Sequence, residues 1–156
     1  MGRRRKASKR EMLPDPKYSS LEIARFINLM MYDGKKSTTR ASFYRTMDII
    51  GEKTKENPTA VLKKALDNAR PRVEVRSRRI GGATYQVPME VPSARSLSLA
   101  IRWMLEIIRK RKGKPMFEKL AGELLDAYKG EGETIKRRDE VHRMAEANRA
   151  FAHYRW

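Results

Sequence analysis

From Ser20 onward the apolar side chains recur at helical spacing. Ile23, Phe26, Ile27 and Met30 fall at i, i+3, i+4 and i+7, and Gly34 closes the run. A second helix is expected to bury Phe43, Tyr44, Met47 and Ile50. Asn57 and Pro58 then have the chemistry of a cap and a first helical position, ahead of a third helix lined by Val61, Leu62, Ala65, Leu66 and Ala69. Pro71 stops that helix, and the period changes from 3.6 to two: Val73 and Val75 alternate with Arg72, Glu74 and Arg76. Thr84, Tyr85, Gln86 and Val87 resume β-type residues beyond Gly81-Gly82, so a β-hairpin is predicted at about 72–90, closed by Pro88 and Pro92. Leu97, Ala100, Ile101, Met104, Leu105 and Ile108 form the cleanest helical stripe, with Ser93 available as its cap. After Gly113 and Pro115, a fifth helix should use Phe117, Leu120, Ala121, Leu124, Leu125 and Tyr128, and Gly130 ends it. The last helix, from about Thr134, is expected to pack Val141, Met144 and Ala145.

The expected fold class is therefore mainly α: a single domain of six helices with a projecting two-stranded β-hairpin between helices three and four, plus a basic N-terminal arm. The arm covers 1–16, with the turn Pro14-Asp15-Pro16 at its end, the body 17–148, and a basic-aromatic tail 149–156. No fixed-period repeat is visible.

Charge changes the picture most. The chain has 36 Lys+Arg against 19 Asp+Glu, a net +17 on 156 residues and a pI near 10.4. Like charge at that density repels itself in a compact state, so a polyanionic partner is expected to neutralise it. Hydrophobic residues make up 40%, under the usual globular share of about 45–50%, so the core should be modest. The longest apolar stretches, Leu29 to Tyr32 and Leu97 to Ile108, are too short or are broken by Ser98 and Arg102, which argues against a bilayer span. Glu11, Pro14, Asp15 and Pro16 stand where a secretory signal would need its apolar stretch, and the absence of cysteine removes disulfide and thiolate chemistry. A cytoplasmic location is expected.

Catalytic constellations fail one by one. Lys35 and Lys36 follow Gly34, but Leu29 occupies the position of the first P-loop glycine. His142 and His153 are the only histidines, with no cysteine to join them, and read as solvated side chains, not as metal ligands. Glu131, Glu133, Asp139 and Glu140 lie among Lys136, Arg137 and Arg138, where solvated ion pairs are the ordinary outcome. No enzyme, cofactor, metal or small-molecule substrate is expected.

What remains is a cation pattern suited to nucleic acid. Arg3, Arg4, Arg5, Lys6, Lys9 and Arg10 make a basic block. The hairpin carries Arg72, Arg76, Arg78 and Arg79 with few acids to offset them, and its guanidinium forks match phosphate. Arg109-Lys110-Arg111-Lys112 partly serves the negative end of a helix dipole. Tyr85 reads as a packing residue. Phe151 and Tyr154 either stack on single-stranded RNA or staple the last helix to the core. By charge alone, a DNA-compacting or membrane-active protein is the rival reading.

The residues resemble the bacterial-type small-subunit ribosomal protein seven family over essentially the whole chain. The resemblance rests on Arg3-Arg4-Arg5 with Leu13-Pro14-Asp15-Pro16, on Phe26-Ile27-Asn28 through Asp33-Gly34-Lys35-Lys36, on the hairpin from Val75 to Pro88, and on the ending Met144 to Trp156. It implies a six-helix body with an extended hairpin that binds the 3′ major domain of small-subunit rRNA early and organises assembly of the subunit head. It also implies a position near the mRNA exit channel and the exit-site tRNA, beside neighbouring head and platform proteins. Charge density on that scaffold places the rRNA grip on Arg3, Arg4, Arg5, Lys6, Arg10, Lys35, Lys36, Arg76, Arg78, Arg79, Arg95, Arg102, Arg109 and Lys114. The resemblance puts Arg79, Gly81, Gly82, Arg149, Tyr154 and Arg155 near tRNA and mRNA.

Overall fold

The computed structural model describes residues 11–154. The chain order is α1 Leu21–Met30, α2 Lys36–Thr54, α3 Pro58–Ala69, the hairpin strands β1 Val73–Ile80 and β2 Ala83–Glu90, α4 Ser93–Lys110, α5 Met116–Lys129, α6 Glu133–Ala147 and a short 3-10 helix Arg149–Tyr154. The expected six-helix architecture with a hairpin between the third and fourth is present.

The caps explain most of the boundaries. Ser20 Oγ accepts from the Ile23 N–H at 3.4 Å, and Asn57 Oδ1 accepts from the Thr59 N–H at 3.0 Å with Pro58 following in the first turn. Helix α1 ends before Gly34, at Met30, and the chain then turns through Asp33 and Gly34, both at positive φ. Ser93 does not cap α4. Pro92 occupies that position, and its carbonyl accepts from the Arg95 and Ser96 N–H groups at 2.9 Å, which leaves Ser93 inside the first turn. Proline fixes φ near the value a helix entry needs, so the helix starts earlier than a hydroxyl-based reading predicts.

The core forms where the stripes meet. Ile23, Phe26, Ile27 and Met30 of α1, Phe43, Met47 and Ile50 of α2, and all five expected residues of α3 are buried, with Phe26 and Phe43 at 5.2 Å between ring centroids. All six expected residues of α4 are buried as well, against Leu120, Ala121, Leu124 and Ala127 of α5. Phe117, Leu125 and Tyr128 are only half-buried. On α6, Ile135, Val141 and Ala145 face inward, but Met144 is 47% exposed, against the expectation that it packs. The helix is too polar for a wide apolar face, and Val141 and Ala145, four residues apart, already cover the contact.

Two polar locks complete the body. Asp15 is 3% exposed and accepts from the Lys17 and Tyr18 N–H groups at 3.1 and 3.2 Å and from the Tyr44 hydroxyl at 3.0 Å, which ties the chain entering α1 to α2. Glu123 is fully buried within the apolar stripe of α5, where Thr134 donates both N–H (2.9 Å) and hydroxyl (2.6 Å) to Oε1 while Arg111 donates to Oε2. One carboxylate thus joins the loop after α4 to the α5–α6 corner.

Candidate nucleic-acid interface

The strands pair antiparallel in a register that runs from Val73 opposite Glu90 to Ile80 opposite Ala83, leaving Gly81 and Gly82 as a two-residue turn. Both glycines have positive φ, 56° and 89°, the conformation a tight hairpin turn of this hand requires, and a Cβ on either would meet nothing within 4 Å. Backbone conformation, not crowding within the protein, accounts for glycine there.

Because directly paired residues share a face of the pleat, Arg76 with Val87 and Arg78 with Tyr85 lie on one side, and Arg79 with Thr84 on the other. The first side packs on the body. Val87 is fully buried, and the Tyr85 ring lies 5.3 Å from Phe151 and 5.3 Å from Tyr154 between centroids. Tyr85 is thus a packing residue, as its sequence context predicts. The tail aromatics make a contact that neither of the two roles left open for them had named: they pack on the hairpin through Tyr85, with Phe151 and Tyr154 6.5 Å apart and nearly parallel.

The hairpin base is fastened as well. The Arg72 N–H donates to His142 Nε2 on α6 at 3.0 Å, and the buried Ser96 hydroxyl donates to the Pro71 carbonyl at 2.8 Å. His142 is therefore not a solvated side chain; burial, followed by the charges of Arg138 and Arg72, lowers its pKa against the opposing pull of Asp139.

One hairpin acid matters more than its sequence context implies. Glu74 is buried, and its Oε1 accepts from Arg76 Nε at 2.8 Å and from Arg95 Nε on α4 at 2.9 Å. Burial alone would raise the Glu74 pKa, but the hydrogen bonds and charges of Arg95 and Arg76 outweigh it and hold it below the usual carboxylate value. Arg76 and Arg95 are thus oriented by a shared internal partner while 45% of each side chain stays exposed. The expectation of few offsetting acids is corrected to that extent.

The remaining cations gather at helix ends. Lys35 is the N-cap of α2 and Lys36 its first residue, with no acid in the first turn and no side-chain cap. Two ammonium groups at the positive end of a helix dipole are unfavourable by themselves and favour an external anion. Arg102 and Arg109 project outward from α4, and Arg109 Nη2 donates to the Met30 carbonyl at 3.1 Å, capping α1. A groove of about 370 Å³ brings Lys35 and Arg109 together, and a neighbouring one of about 330 Å³ joins Arg109 to Arg102 and Lys110. Lys114 lies apart from these, in a groove with Arg111, Lys112 and Lys119. Lys110 and Lys112 belong to the basic run around the end of α4, where Lys110 pairs with Glu106 at 2.9 Å; nothing local in the sequence marks Lys119, whose ammonium donates to the Arg111 carbonyl at 2.6 Å. Arg149 is exposed and pairs with Glu146 at 3.2 Å. Arg3, Arg4, Arg5, Lys6, Arg10 and Arg155 lie outside the described residues.

Among the described residues no group of His, Cys, Asp and Glu could hold a metal ion, and no helix is long and apolar enough to cross a membrane. A helical body with a fastened arginine hairpin and cation-rimmed grooves defines a polyanion-binding scaffold protein. Residues 2–149 match the family described as Ribosomal protein S7p/S5e. The chain is similar to the small ribosomal subunit protein uS7 of Dictyoglomus turgidum, at 58% identity over 156 residues, and to that of Geotalea daltonii, at 53% over 156 residues, covering 100% of both chains in each case. With the same protein of Petrotoga mobilis it shares 54% over 154 residues, 99% of either chain. The chain belongs to the ribosomal protein S7p/S5e family, a family of structural ribosomal proteins and not of enzymes.

Proposed function

We propose that this protein is a structural constituent of the cytoplasmic small ribosomal subunit and a primary binder of the 3′ major domain of its rRNA. In this reading it nucleates assembly of the subunit head and lies near the exit-site tRNA and the mRNA exit channel. The name shared by its relatives, small ribosomal subunit protein, supports the coarse statement. The observation that supports the finer one is the hairpin, which is held at its base by His142 and along its length by Tyr85, with Arg76 oriented by Glu74. A preorganised cation set releases counterions from converging RNA backbones without first losing its own conformational freedom.

The rRNA grip comprises Lys35, Lys36, Arg76, Arg78, Arg79, Arg95, Arg102, Arg109 and Lys114, joined by Arg3, Arg4, Arg5, Lys6 and Arg10 of the amino-terminal block. Arg79, Gly81 and Gly82 at the tip, with Arg149, Tyr154 and Arg155 at the carboxy terminus, face tRNA and mRNA. Head and platform proteins are the protein neighbours. Since A-form RNA hides its major-groove edges, recognition proceeds by shape, junctions and unpaired bases. Footprinting of the protein on naked small-subunit rRNA tests target and order together. Protection confined to the 3′ major domain in the absence of other proteins is expected, and protection elsewhere, or only after other proteins bind, overturns the reading.

A further inference from the structure

Tyr32 is 72% exposed, a large ring displayed on a protein whose other described aromatics are at least partly packed. Its backbone is fixed. The Tyr32 carbonyl accepts from the Lys35 N–H at 3.0 Å, so ring and ammonium stand on one rigid turn. Behind them lies the groove of about 370 Å³, its exposed lining mainly apolar, with Met30 and Met116 on its walls and Thr38, Lys35 and Arg109 also lining it. Arg109 is held in place by the Met30 carbonyl.

An apolar slot beside an aromatic face, with two cations at its margin, is complementary to a nucleotide and not to a duplex. The base needs a flat hydrophobic contact and its phosphate needs charge. A purely apolar partner segment would leave Lys35 and Arg109 without counter-charge. In the neighbouring groove Glu106 pairs with Lys110 at 2.9 Å, so Arg102 is the cation there that extends the charge of Arg109 toward an adjoining phosphate.

We infer that this groove captures one unpaired rRNA nucleotide, its base stacked on Tyr32 and its phosphate on Lys35 and Arg109. The inference rests on the rRNA-binding reading above and adds a stacking subsite to a grip otherwise made of charge.

Stacking and charge respond differently to salt, which supplies the test. The full-length chain and its variants are titrated with a transcript of the 3′ major domain at several salt concentrations between roughly 50 and 200 mM. Tyr32→Ala is expected to weaken binding about tenfold at every salt concentration with the salt slope unchanged, and Tyr32→Phe to bind like the parent. Thr38→Trp, a change at an exposed position that fills the slot, should weaken binding similarly, whereas Lys35→Ala should lower the slope by about one. Circular dichroism confirms that each variant is folded. Ultraviolet crosslinking should join Tyr32 to a single nucleotide. If Tyr32→Ala and Thr38→Trp bind as the parent does while Lys35→Ala weakens, the slot holds no base and belongs to a protein neighbour. If the parent itself fails to bind the transcript, the rRNA-binding reading falls, and this inference with it.

Discussion

At the scale of single residues, the informative positions are carboxylates in a basic protein. Asp15, Glu74 and Glu123 each organise several donors, so each has a role that counting charges hides. Glu123 is the sharpest case. Glu123→Ala leaves the Thr134 N–H and hydroxyl without their acceptor in a buried site and removes the partner of Arg111. Because Arg111 is one-third exposed, water takes over part of its solvation. A loss of about 3 kcal/mol is expected, read as a lower midpoint in urea with an unchanged slope. The sequence hinted at this residue, since an acid three positions after Leu120 falls on the apolar stripe of α5. It did not reveal the partner, because the contact of Glu123 with Arg111 depends on how the loop after α4 folds back.

At the scale of elements, local patterns were readable and junctions were not. The stripe of α4 was legible residue by residue, whereas the alternation of β1 gave the strand but not its packed face, since Glu74 is buried while Val73 and Val75, on the other side of the pleat, are only half-buried. The bonds from Arg72 to His142 and from Arg95 to Glu74 link positions 70 and 21 residues apart, and nothing in either segment encodes them. His142 also gives the hairpin base a pH dependence. Its folded pKa lies below the ordinary 6.5, so the unfolded chain binds the proton more readily, and stability is complete above that value. Stability should then fall as pH drops below about 6.5, as Nε2 gains a proton and can no longer accept from Arg72. Arg138, Asp139 and Arg72 are the charged groups around it, and the two arginines oppose the imidazolium. Hydrogen exchange of the β1 amides should accelerate toward pH 5.5, after correction for intrinsic rates, by about twofold or more. His142→Gln, which retains an acceptor, should flatten that dependence.

At the scale of the whole molecule, the net +17 sets two responses to salt with opposite signs. In the free protein, salt screens self-repulsion, so the melting temperature should rise by a few degrees between about 50 and 300 mM. In the complex, the same salt competes for phosphate, so rRNA affinity should fall log-linearly. A free protein that loses stability with salt would show that internal ion pairs outweigh repulsion. The described ion pairs argue otherwise: Lys17–Asp48, Lys110–Glu106, Arg137–Glu140 and Arg149–Glu146 are exposed at both ends and contribute little, while those of Glu74 and Glu123 are partly buried and less open to screening.

The placement of Tyr85 has a mechanical consequence. A ribbon clamped only at its root would swing through its full length, but here a second clamp grips at the Arg78–Tyr85 pair, with Arg79–Thr84 and Ile80–Ala83 beyond it. The deflection of a cantilever grows steeply with its overhang, and this overhang is short. The glycine turn therefore acts as a stylus: it holds its position to within small excursions, and anything that slides past it must accommodate the point.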